Sequence, residues 1–173
     1  MFSVSKGRLP DNALLKKYQS QSVESDFESY TDCYFIDVDG AIEFDKYIDE
    51  FYNSRLFKME RFLLSLLVSK PSTDLQPRLL ALGKIDYFAA WTVEGRCNDQ
   101  LLMCDYQAKT RSWFMLELID SSRTRLYFGS AVVKGKSTGK TGSAFSLVFY
   151  MLLGFHKVYS QALLYFAKRA LCS

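Results

Sequence analysis

Four apolar-alternating segments, Ile85–Glu94, Gln100–Tyr106, Arg111–Ile119 and Thr124–Lys134, are joined by polar links of four or five residues: GRCND, QAKT and DSSR. Links this short leave no room for a crossover, so neighbouring strands must run antiparallel. A segment from Ser143 to Leu171 then follows, with apolar residues at helical spacing, no proline, and the chain's single histidine, His156. An antiparallel sheet closed by a long amphipathic helix is the architecture these features impose.

The rest of the chain fits around that unit. Residues 1–28 are polar and irregular and are expected to form a flexible N-terminal arm, leaving 29–173 as a single domain. Tyr30–Val38 alternates as a first strand, and Asp39-Gly40 punctuates its end. Ala41–Tyr52 and then Arg55–Val68 carry helical stripes, the second ended by Pro71. Thr73-Asp74 and Pro77 start a further short helix, and Gly83 stops it.

Sorting the strands by their own alternation puts Phe114, Leu116 and Leu118 on one face, toward the helix. The matching sets are Tyr87, Ala89 and Trp91; Leu102, Cys104 and Tyr106; and Tyr127, Gly129, Ala131 and Val133. The opposite face still carries Phe88, Met103, Trp113, Met115 and Phe128. A water-facing side would be more polar than that. Either the N-terminal arm covers it or a second copy does, and a homodimer is the expected solution.

Composition narrows the function classes. The chain has 173 residues, 49% of them hydrophobic and 16% aromatic, enough for a bulky core. A net charge of +3 is too small to imply nucleic acid. It is unevenly spread: Ser22–Tyr52 holds ten acids against Lys46 alone, a balance of −9 that leaves +12 elsewhere. The four cysteines, Cys33, Cys97, Cys104 and Cys172, show no CxxC pairing, so no zinc site is expected and reduced thiols in the cytoplasm follow. The apolar run Leu147–Phe155 is far shorter than the ~20 residues of a membrane span.

Three motifs invite a chemical reading. Tyr34–Ala41 (YFIDVDGA) resembles the first motif of haloacid-dehalogenase-like phosphatases, in which Asp37 would be the nucleophile and Asp39 the general acid beside Mg²⁺. Ala41 replaces the usual threonine, and the strands do not alternate with helices as that fold requires. Gly135–Thr141 (GKSTGKT) resembles a phosphate loop, but its glycines miss the G-x-x-x-x-G-K-[ST] spacing. His156 stands on or beside the apolar stripe of the last segment. No serine or cysteine grouping around it forms a catalytic set, and no cofactor is implied.

The order strand, two helices, antiparallel strands and long C-terminal helix resembles the helix-grip fold of the START/SRPBCC (birch-allergen-like) superfamily. More narrowly, the chain is similar to an uncharacterised bacterial family, domain of unknown function 2867. The similarity rests on DYFAAWTVEGRCNDQLLMCDY, TRLYFGSAVVK and LLGFHKVYSQALLYFAKRAL. Gly154-Phe155-His156-Lys157 matches that family's proline-phenylalanine-histidine-arginine-like run. Two features depart from it: Asp105–Arg111 lacks the family's histidine, and a Gly/Lys-rich loop replaces its polar turn before the last helix. The resemblance implies an α+β helix-grip fold with a cavity for apolar or amphipathic small molecules and no established reaction. Within that fold, Tyr87, Trp91, Tyr106, Phe114 and Tyr127 are expected to line the cavity from the sheet, Phe149 and Tyr159 from the helix, with His156 orienting a polar group of the ligand. An interaction protein docking through the outer sheet face is the alternative, and a Mg-dependent phosphatase is a further one.

Overall fold

The computed structural model describes residues 4–19, 29–59, 73–133 and 158–172. The strands are β1 (Ser5–Lys6), β2 (Ser29–Asp39), β3 (Tyr87–Phe88), β4 (Trp91–Arg96), β5 (Gln100–Asp105), β6 (Thr110–Asp120) and β7 (Arg123–Val133). They form one seven-stranded sheet in the order β1-β2-β7-β6-β5-β4-β3, every neighbouring pair antiparallel. It is open, with β1 and β3 at its edges. The short links make the run β4 to β7 a meander. The long-range step is β2 against β7, in unbroken register from Ser29↔Val133 to Asp39↔Arg123.

Register, not alternation, decides the faces, and it corrects part of the sequence reading. Phe114 lies opposite Phe128 and Leu101, so Leu126, Phe128, Leu101 and Met103 share its side. Tyr127, Gly129, Ala131 and Leu102 stand on the other side with Trp113 and Met115. The expected grouping of Tyr127 and Leu102 with Phe114 was therefore one residue out. Both strands are apolar at successive positions, so their own pattern cannot fix parity, and a one-residue slip exchanges the faces. Ile85–Glu94 is likewise two strands. The chain reverses at Ala89-Ala90, with Ala89 at φ 49°, and pairs Phe88 with Trp91. That reversal turns Tyr87 outward while Phe88 and Trp91 face the helices.

The described helical pieces are α1 (16–19), α2 (Phe44–Asn53), α3 (55–59), α4 (Gln76–Ala81) and α5 (158–171). In α2, Tyr47, Ile48 and Phe51 are buried as expected from their spacing, and Tyr52 is buried beside them. Ser54 separates α2 from α3, its Oγ accepting from the Phe57 N–H at 3.3 Å in the manner of an N-cap. Pro77 sits in the first turn of α4, and Gly83, at φ 67°, lies just past its end. The expected extension of the second helix from residue 60 lies outside the described residues, as does that of the last helix before 158. No helix among the described residues is long and apolar enough to cross a membrane.

The helices α2, α4 and α5 lie on one side of the sheet. On that side α5 turns Leu163, Leu164, Ala167 and Leu171 inward, and its Lys168 Nζ donates to the Asp37 carbonyl at 3.0 Å, so it tracks β2. The centre belongs to α2, where Phe51 meets Phe114 and Phe128 at ring distances of 4.7 and 4.9 Å. The other side is covered by the N-terminal segment. Leu9, Ala13, Leu14, Leu15 and Tyr18 pack on Trp113, Met115 and Tyr127, and Ser5–Lys6 extends the sheet. Residues 4–19, expected as part of a flexible arm, thus supply an edge strand and the second apolar layer. Two paired residues and one helical turn are too short to register as periodicity.

Candidate ligand-binding site

The helix-side layer is an aromatic one. Tyr47, Phe51, Tyr52 and Phe57 from the helices interlock with Phe88, Phe114 and Phe128 from the sheet, mostly in edge-to-face or tilted contacts. These geometries suit the ring quadrupoles and add to the area each ring buries. Burial pushes the Tyr47 phenol far above its usual range, and its O–H donates to the Tyr127 carbonyl at 2.9 Å. Toward the margins the layer is less complete: Trp91, Val93, Leu56 and Tyr159 pack against it but remain partly exposed.

This geometry brings together some of the expected cavity residues and separates others. Trp91, Phe114 and Tyr159 belong to the helix-side layer. Tyr127 belongs to the opposite layer, its hydroxyl donating to Glu117 Oε2 at 2.7 Å. Tyr87 and Tyr106 are 57% and 50% exposed, too open to line an interior. Their displacement follows from the reversal at Ala89-Ala90 and from the end of β5 at Asp105. Phe149 and His156 lie outside the described residues, as does Gly135–Thr141. Of Phe51, Tyr52 and Phe57, which dominate the layer, only Phe51 was legible as part of a helical stripe, and nothing in its spacing says which strands it meets.

The arm-side layer is fastened by two polar groups. Buried Gln100 receives the Leu14 N–H and the Trp113 indole N–H on one oxygen, each at 2.9 Å, and donates to the Asn12 carbonyl at 3.0 Å. Nearby, Glu94 accepts from Tyr18 O–H, from Arg111 Nε at 2.6 Å and from Lys17 Nζ at 2.5 Å. A bulge between Val93 and Gly95 places Glu94 on this side and turns Arg96 back to the helices. Burial pushes the Glu94 carboxyl up, but the hydrogen bonds from Lys17, Tyr18 and Arg111 outweigh it and the net shift is downward. Burial and the Glu94 bond raise the Tyr18 phenol to about 12.

Asp37 is committed to structure. Its two carboxylate oxygens accept from Arg125 Nε and Nη2 at 2.7 and 2.9 Å, and the guanidinium lies 4.3 Å over the Phe35 ring. These Arg125 hydrogen bonds hold its carboxyl below the usual range. The strand carrying Asp37 and Asp39 sits between antiparallel neighbours, unlike the parallel setting of the phosphatase motif it resembles. Among the described residues no group of three metal-ligating side chains comes together. The motif is accounted for by a strand end, an ion pair and a turn at Gly40, whose φ is 92°.

A cleft of about 320 Å³ opens between α2, the end of α4 and the β4–β5 turn. Arg96 in its wall donates to the Leu80 carbonyl at 2.8 Å and the Ile85 carbonyl at 3.4 Å, so it closes the end of α4.

No family model matches the chain, and no curated protein matches it. Among solved structures, a conserved protein of unknown function from Enterococcus faecalis aligns over 89% of this chain and 80% of its own length, at 11% identity and a TM-score of 0.43.

Proposed function

We propose that this chain is a helix-grip domain of the START/SRPBCC type, akin to the domain of unknown function 2867 family, that holds a hydrophobic or amphipathic small molecule without transforming it. The observation that carries this reading is the aromatic helix-side layer, closed at its centre by Phe51 on Phe114 and partly open at Trp91, Val93, Leu56 and Tyr159. An apolar guest would enter at that margin, with Trp91 and Tyr159 as the sheet and helix contacts, Phe114 beneath Phe51 as the closed floor behind them, and Phe149 completing the helix side. Ser160 gives the layer a polar point: its hydroxyl is fully buried on the inward face of α5 and has no hydrogen-bond partner among the described residues. A buried hydroxyl left in that state is costly, and a guest's polar group would relieve it. His156, one helical turn earlier by spacing, would add a second such contact. Four free thiols suit a reducing compartment, and on that ground we assign the protein to the cytoplasm.

Docking or homodimerisation through the outer sheet face is the less favoured reading, because residues 4–19 occupy that face.

Titration with an uncharged naphthylamine dye tests the proposal. Saturable binding at one dye per chain is expected, with quenching of Trp91 and a rise in melting temperature. Trp91→Ala should weaken it by about tenfold, on the scale of one lost aromatic contact. Absence of saturable binding, or binding unaffected by Trp91→Ala, would overturn the assignment.

A further inference from the structure

The segment that covers the outer sheet face is held the way a docked peptide is held. Gln100 reads its main chain: the side-chain oxygen accepts the Leu14 N–H at 2.9 Å, and the side-chain nitrogen donates to the Asn12 carbonyl at 3.0 Å. Ser5 and Lys6 add a short strand against Phe35 and Tyr34, and the Gly7 N–H donates to the Cys33 carbonyl at 2.9 Å. Two side chains are seated in the face. Leu15 is fully buried in the layer formed by Trp113 and its neighbours, and Tyr18 donates its O–H to Glu94 with the Arg111 guanidinium 5.0 Å over its ring. Main-chain bonds combined with side-chain pockets are the elements of peptide recognition by strand addition. Beneath the segment the sheet keeps its own polar groups paired. The Trp113 indole N–H donates to Gln100 at 2.9 Å, Arg111 Nε to Glu94 at 2.6 Å and the Tyr127 hydroxyl to Glu117 at 2.7 Å.

We infer that the outer sheet face is a peptide-recognition surface whose partner is a second copy of this chain, the two copies exchanging residues 4–19. The fit names the occupant. A Cβ at Gly129 would lie 3.0 Å from Leu15 Cδ2 and one at Gly95 would lie 3.4 Å from Leu14 Cδ1, so the surface is shaped to this sequence. The side-chain hydrogen bonds to Asn12, Leu14 and Tyr18 join residues 76 to 93 positions apart, and none of them distinguishes the chain's own segment from that of a neighbour. A reciprocal exchange remakes every such contact on both copies and leaves neither face uncovered. Monomer and dimer then differ mainly in the entropy of association, set against the effective concentration of a tethered segment, which is on the millimolar scale. The dimer is therefore a species of high protein concentration. Because this face lies on the opposite side of the sheet from the Trp91 margin, the inference is independent of the apolar-ligand reading.

A fluorescein-labelled peptide of residues 4–19, titrated with the full chain, tests recognition in trans. Saturable binding at one peptide per chain is expected, in competition with the resident segment. One substitution should act with opposite signs on the two sides. Leu15→Ala in the peptide should weaken binding at least tenfold, whereas Leu15→Ala in the full chain, whose own segment then competes less, should tighten it at least tenfold. Tyr18→Phe removes only the hydroxyl contact with Glu94 and should give the same two signs at several-fold size, which decides the matter if the Leu15→Ala chain does not melt cooperatively. Sedimentation of the parent from micromolar to millimolar concentration should show a monomer–dimer equilibrium, and excess unlabelled peptide should return the dimer to monomer. The inference is overturned by absence of saturable binding, by equal binding of the parent and altered peptides, or by variant chains that bind no tighter than the parent. A parent that stays monomeric through the millimolar range, or a dimer that the peptide does not disperse, overturns it equally.

Discussion

Gly129 sits where three parts of the chain close on one another. A Cβ built there would lie 2.8 Å from the Asp32 carbonyl oxygen, 2.9 Å from Trp113 Cε3 and 3.0 Å from Leu15 Cδ2. The first contact is backbone within the β2–β7 ladder and cannot yield. Gly95, also on the arm side, would meet Leu14 Cδ1 at an ordinary 3.4 Å. Gly129→Ala should therefore lose about 1–3 kcal/mol in chemical denaturation, the usual cost of overpacking, whereas Gly95→Ala should stay within about 1 kcal/mol of the parent. Comparable losses in both variants would show that the arm does not pack this closely. None of this was legible in the sequence: Gly129 reads there as one more small residue in an apolar strand, because the crowding comes from residues 16 and 97 and more positions away in the chain.

Among the elements, the N-terminal segment departs most from its sequence reading, and electrostatics hold one end of it. Glu94 and Asp37 both have folded-state carboxyls below their ordinary values of 4.5 and 3.8. A lowered folded value means that the stabilisation is complete above the ordinary range and is lost as pH falls through the folded value. The melting temperature should thus be level from about pH 8 to about pH 5 and fall steadily below it. Glu94→Gln, which cannot titrate, should show a lower plateau and a shallower acid fall. An acid fall as steep as the parent's would remove Glu94 from the account. Helices α2 and α4 were read correctly in kind from their stripes and from Pro77 and Gly83, because those signals are local. The packing of α2 on Phe114 was not, since a stripe records that a face is buried but not against what.

At the scale of the whole molecule, the two tryptophans divide the two layers between them. Trp113 is buried on the arm side and Trp91 packs on the helix side, and both stand on strands of the same sheet. Because β2 must find β7 across most of the chain, the sheet cannot form in halves, and the two layers should be lost together. At neutral pH, urea unfolding followed through Trp91 in Trp113→Phe and through Trp113 in Trp91→Phe should give single transitions with the same cooperativity. A broad or two-step transition in either variant would mean that the layers are separate folding units.

By itself the sequence determined that strands 4 to 7 are an antiparallel meander, that helices flank them, and that both faces of the sheet are apolar enough to need cover. Those properties follow from link lengths and local periodicity, which any short window of the chain contains. Only the tertiary structure decided which side chains share a face, that residues 4–19 pack on the outer side, and that Asp37 is matched to Arg125. Each of these depends on register or on a contact between distant segments, and a strand apolar at both parities carries no record of which way it will turn.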